Sequence, residues 1–221
     1  MVAVAAGGAA KVGAGSIVSV SHIDSMPDIV RRWLSMLVWP GIPLMALVHW
    51  VMPKLKEEKQ ANRSWASWCF TPLLAGIVFE GYGSTILANT DTGRVLVLVG
   101  AALHLGGAAV YLSFLWRMVK GALRPGVYDL FVLIGGLWLA GISVIHLLYA
   151  VMPVLGHALH YFQRAAICFD VALLAGFAFN SLLGILAAIL PHFLSTSRAN
   201  PRARSTLILF NVALVGWVGA T

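Results

Sequence analysis

Of the 221 residues, 60% are hydrophobic and only 10% are charged, whereas a soluble domain carries about 25% charged residues, so an ordinary water-soluble fold is excluded. The apolar surplus falls in runs near the ~20 residues that cross a bilayer as a helix. A formal charge of +7 would suggest nucleic acid in a soluble protein; here the basic residues gather in alternate loops, so the expected partner is the lipid bilayer and not nucleic acid.

Residues 1–30 read as an N-terminal extramembrane segment. The stretch has no basic start, and Lys11 and several glycines interrupt it, which is unlike a signal peptide. Residues 31–221 read as an all-α, polytopic transmembrane bundle, because an open sheet would leave unsatisfied edges in lipid. Six segments are predicted. The first, about 33–52, holds Pro40 and Pro43, each of which removes a backbone hydrogen bond and kinks a helix. The others are about 66–88, 94–117, 127–152, 164–190 and 205–221. The last ends at Thr221 after too few apolar residues for a comfortable crossing; either it is short and tilted or the chain is a fragment of a longer protein.

Orientation follows from lysine and arginine. Lys54, Lys56, Lys59 and Arg63 follow the first segment, Arg117, Lys120 and Arg124 the third, and Arg198, Arg202 and Arg204 the fifth; the alternate loops hold Arg94 and Arg164. The positive-inside rule makes the first set cytoplasmic, with the N-terminus outside and the protein multi-pass in a cell (inner) membrane. Arg31 and Arg32 run against this placement. Tryptophans near segment ends, among them Trp33, Trp39, Trp50, Trp65, Trp68 and Trp116, fit an interfacial aromatic belt.

A shift of 138 residues lays Pro53 on Pro191, Ala61-Asn62 on Ala199-Asn200, Ser67 on Ser205, Ala75 on Ala213 and Gly81 on Gly219 without a gap. Segment one then overlays segment five, and segment two overlays segment six. The implied pseudo-repeat is a four-helix unit, and sites in membrane bundles often form where repeats meet.

The stretches GAALHLGGAAVYLSFLWRMVKG (100–121), YDLFVLIGGLWLAGISVI (128–145) and LLAGFAFNSLLGILAAILPHF (173–193) resemble, in that order, the NnrS-like membrane proteins. A repeated four-helix unit also resembles the haem-copper oxidase subunit I architecture. The resemblance covers about half of the chain. It implies a protein associated with haem and/or copper and linked to respiration or the nitric-oxide response. The oxidase copper arrangement, a His followed closely by Tyr and later an adjacent His-His pair, is not found, which puts oxidase or reductase catalysis in doubt.

Ionisable groups inside a bilayer are costly and invite a functional reading. Glu80, in GIVFEGYGS, is the carboxylate deepest inside an apolar segment. It reads either as a proton carrier or histidine partner, or as a neutral Glu bonded to backbone near Gly81 and Gly83. His104 lies near mid-membrane and His146 closer to the outer face, in the same half as Glu80. Imidazoles can ligate haem iron or copper, or simply hydrogen-bond between helices. His157 and His160, in PVLGHALHYFQR, share a face if that stretch is helical and could chelate a metal, or could belong to a polar outer loop. His49 and His192, near the cytoplasmic ends, read as snorkelling or phosphate-contacting residues. Gly106-Gly107, Gly135-Gly136 and Gly141 read as packing devices, and Cys69 and Cys168 as structural thiols. The cofactor-binding set is therefore His104, His146, His157 and His160, with His157 and His160 as metal ligands and Glu80 on a proton path. The alternative is a cofactor-free transporter-like bundle, or an accessory subunit of a larger membrane complex.

Overall fold

The computed structural model describes residues 34–55, 63–87, 90–120, 126–151, 168–194 and 201–220. The N-terminal segment 1–30, and His157 and His160, lie outside the described residues. The described chain is six helices, with no strand among the described residues. They are α1 (34–55), α2 (Arg63–Thr85), α3 (Asp91–Lys120), α4 (Val127–Val151), α5 (168–194) and α6 (Pro201–Ala220). Among the described residues, four stretches are long and apolar enough to cross a membrane: Leu34–Pro53, Asp91–Lys120, Val127–Val151 and Cys168–Ile189. Helix α2, which carries Glu80, falls outside that set, and α6 contributes the shorter apolar stretch Ser205–Val218. Within the described residues the six predicted segments are helical, and four of them meet the length and composition of a span.

Helix starts are chemically marked. Thr90 caps α3: its hydroxyl oxygen accepts the Gly93 N–H at 3.0 Å, satisfying one of the orphan donors of a first turn. At α4, Asp129 reaches back to accept the Gly126 N–H at 2.9 Å, the acidic half of a capping box. The proline-rich start of α1 does not break the helix. It widens into a π-helical stretch, Leu37–Gly41, with Pro40 inside. Helix α5 has a second such stretch, Ala172–Phe179, and the two pack together. Under the 138-residue shift the first stretch falls within the second, and Arg63 at the start of α2 falls on Pro201 at the start of α6.

Helices α2 and α3 form the most extensive pair in the bundle, and glycine sets their separation. A Cβ on Gly83 would lie 2.6 Å from the Gly93 oxygen, one on Gly76 would lie 2.8 Å from the Gly100 oxygen, and one on Gly107 would lie 3.0 Å from the Cys69 oxygen. Cys69, Gly76 and Gly83 recur every seven residues on one helix, and Gly93, Gly100 and Gly107 on the other. A seven-residue spacing keeps one strip of an antiparallel pair facing its partner, and small residues there let backbones touch. Gly135 and Gly136 also lie at close contacts. The other two expected packing glycines do not: Gly106 and Gly141 are exposed, with nothing within 4 Å of a Cβ built on either.

The far side of the bundle is held by amides. Asn180 of α5 and Asn211 of α6 exchange hydrogen bonds, Asn180 Nδ2 to Asn211 Oδ1 at 3.2 Å and Asn211 Nδ2 to Asn180 Oδ1 at 3.1 Å. Trp138 Nε1 of α4 donates to the same Asn211 oxygen at 2.9 Å. Three helices are thereby tied by groups that have no water to turn to in lipid.

Candidate functional site

The strip of small residues between α2 and α3 is interrupted by two polar side chains. Glu80 stands four residues after Gly76, and His104 four residues after Gly100, so each shares the face of its glycine. The seating is reciprocal. A Cβ on Gly100 would fall 2.4 Å from the Glu80 Cγ, and one on Gly76 would fall 2.6 Å from the His104 Cδ2 and 2.7 Å from its Nε2. Each glycine thus makes room for the ionisable side chain of the opposite helix.

Helix α4 brings a third group. His146 Nε2 lies 3.0 Å from Glu80 Oε1, and His104 Nδ1 lies 3.0 Å from the same oxygen. The ligand atoms of Glu80, His104 and His146 all lie within 4.8 Å of one another. Glu80 and His104 are 0% exposed and His146 is 1% exposed. Glu80 Oε2 is also buried and meets no hydrogen-bond partner among the described residues. Aromatic rings close the α5 side: Phe169 meets His146 edge-on at 6.0 Å, and Tyr149 packs on Phe169 at 5.5 Å.

A carboxylate taken into hydrocarbon loses its hydration and must be compensated. Two imidazole N–H groups donating to Oε1 supply part of this. The same three groups, with nitrogens deprotonated toward the centre, form a two-histidine, one-carboxylate donor set, which suits zinc, copper or non-haem iron.

The structure thus brings together Glu80, His104 and His146. His49 departs from its expected surface role. Its Nδ1 faces the Met45 carbonyl oxygen at 3.1 Å, and its ring stacks on Phe114 at 4.1 Å with 8° between planes. A seat formed by Phe70, Tyr111 and Phe114 shelters the ring better than the headgroups would. Cys69 is a buried thiol pointing at the Gly107 oxygen at 3.6 Å, and the Cys168 thiol points at the Val218 oxygen at 3.9 Å. Sequence reasoning missed Gly76 and Gly100. Their signal was the seven-residue interval, which the glycine doublets obscured.

No protein-family model, curated protein or solved structure matches the chain.

Proposed function

We propose that this is a multi-pass membrane protein that binds one transition-metal ion through Glu80, His104 Nδ1 and His146 Nε2. The observation that carries the reading is the convergence of three ligand atoms from three helices within 4.8 Å of one another, beside a buried carboxylate oxygen, Oε2, that has no partner among the described residues. Ligands at roughly 2.0–2.2 Å from a tetrahedral ion stand roughly 3.3–3.6 Å apart. The 3.0 Å contacts to Oε1 would open by a few tenths of an ångström to admit it, while the two imidazole nitrogens, within 4.8 Å of each other, would close toward the same spacing.

Copper is the ion favoured by the resemblance of residues 100–121, 128–145 and 173–193, and a link to respiration or nitric oxide rests on that resemblance alone. A bare ion suits the site better than haem. His104 Nε2 is pressed against the Gly76 backbone, and the close approach of α2 and α3 leaves a macrocycle no slot between them. The distribution of lysine and arginine supports an inner-membrane location with the N-terminus outside, and further membrane subunits remain natural partners for the exposed apolar faces.

A second reading is favoured by the shared Oε1: a carboxylate contacted by two imidazoles can hold and pass a proton, as a transporter path requires. Elemental analysis of purified protein separates the two. The metal reading expects one tightly held ion per chain, lost on His104→Ala or His146→Ala, with no Soret band. Metal-free protein after growth in copper, zinc and iron overturns it. Proton uptake into vesicles that is abolished by Glu80→Gln would then establish the second.

A further inference from the structure

Seven residues along α3 from His104, and so about 10 Å toward its C-terminus on the same face, stands Tyr111. It is 0% exposed, yet its phenolic oxygen has no hydrogen-bond partner among the described residues. The neighbouring ring is His49 of α1, with centroids 5.6 Å apart. His49 is committed on one side only. The N–H that its Nδ1 donates to Met45 fixes the tautomer and leaves Nε2 as an acceptor. That Nε2 is buried and likewise has no partner among the described residues.

A donor and an acceptor are thus carried by neighbouring rings, 5.6 Å apart between centroids, in a seat lined by Phe70 and Phe114. Leaving both unpaired would cost free energy that apolar neighbours cannot return. The two polar groups complement each other and match a ligand that accepts one hydrogen bond and donates another.

We propose that Tyr111 and His49 form a second polar site, which binds a buried water between the phenol O–H and the imidazole Nε2. The water accepts from Tyr111 and donates to His49. The site lies on the half of the bundle that ends in Arg117 and Lys120 of α3, opposite the side toward which Glu80 and His146 sit. It continues the polar line of α3 from His104 toward the basic last turn of that helix. It is independent of any ion at Glu80.

X-ray radiolytic footprinting in ¹⁸O-labelled water tests this on the intact chain, because hydroxyl radicals formed from a bound water oxidise the side chains beside it. Phe177 is the internal control: it is also 0% exposed and packs edge-on against Tyr111 at 6.3 Å. After correction for intrinsic reactivity, Tyr111 is expected to take up label severalfold faster than Phe177. His49→Phe is expected to bring Tyr111 down to the Phe177 rate. Tyr111 labelling no faster than Phe177 in the unmodified protein overturns the proposal. Tyr111→Phe gives an independent reading with little risk to folding. A bridged hydroxyl makes the variant melt at a lower temperature, whereas a higher melting temperature would mean that the hydroxyl had no partner and would also overturn the proposal.

Discussion

Replacing Gly100 with alanine tests whether helix contact and the buried triad are one device. The new methyl would fall 2.4 Å from the Glu80 Cγ, 2.8 Å from the Gly76 oxygen and 3.0 Å from the Glu80 nitrogen, where ordinary contact begins at 3.4 Å. Two of those atoms are backbone, so α2 must retreat from α3 by about 1 Å to restore the contact distance. The same movement stretches the 3.0 Å contact between Glu80 and His104 to about 4 Å, beyond hydrogen-bond range. Overpacking costs about 1–3 kcal/mol, and losing a hydrogen bond to a charged group about 1.5–3 kcal/mol. The combined expectation is a loss of about 2.5–6 kcal/mol in unfolding free energy, the upper end being exceptional even for core lesions. Gly106→Ala is the matched control, since nothing lies within 4 Å of its Cβ position. Denaturant titration in detergent measures the difference, and metal titration of the same samples measures the site. Gly100→Ala is expected to lose at least about tenfold in affinity, equivalent to about 1.4 kcal/mol. Equal stability and equal affinity for the two alanine variants would refute the reasoning.

Asn211→Leu removes the acceptor shared by Trp138 and Asn180 and is expected to cost about 1–2 kcal/mol, the upper range for polar contacts between membrane helices, read by thermal unfolding in detergent. Thr90→Ala removes the cap on α3 and is expected to cost about 1 kcal/mol while leaving metal content unchanged. Glu80→Gln preserves shape but not charge; it is expected to retain the helical circular-dichroism spectrum and to lose the bound ion. Lys56→Cys is expected to react with a membrane-impermeant maleimide only after cells are opened, since the positive-inside rule predicts that the basic stretch after α1 lies inside; labelling in intact cells would reverse the orientation.

The helices were legible because apolar runs of spanning length have few alternatives in lipid. Four such stretches were found where the composition put them. The π-helical stretches were half legible. Pro40 announced a defect in α1, whereas the stretch in α5 has no proline and could be anticipated only through the internal shift. The three residues of the buried triad could each be named from the cost of polarity in hydrocarbon. Their convergence could not, because Glu80 and His146 are 66 residues apart and periodicity says nothing about which helices meet. Of the glycines expected to pack, Gly106 and Gly141 face outward, while the heptad strip through Gly76, Gly100 and Gly107 sets the geometry. His49 was misplaced because proximity to a helix end was read as exposure; its stacking on Phe114 depends on how α1 lies over α3.

The most direct test of the central claim is X-ray absorption spectroscopy at the edge of whichever metal co-purifies. Two imidazoles and carboxylate oxygen at roughly 2.0–2.2 Å, replaced by a different shell in Glu80→Gln, are the expected result. A shell of sulfur at roughly 2.3 Å, or the four equatorial nitrogens of a porphyrin, would contradict the assignment to Glu80, His104 and His146.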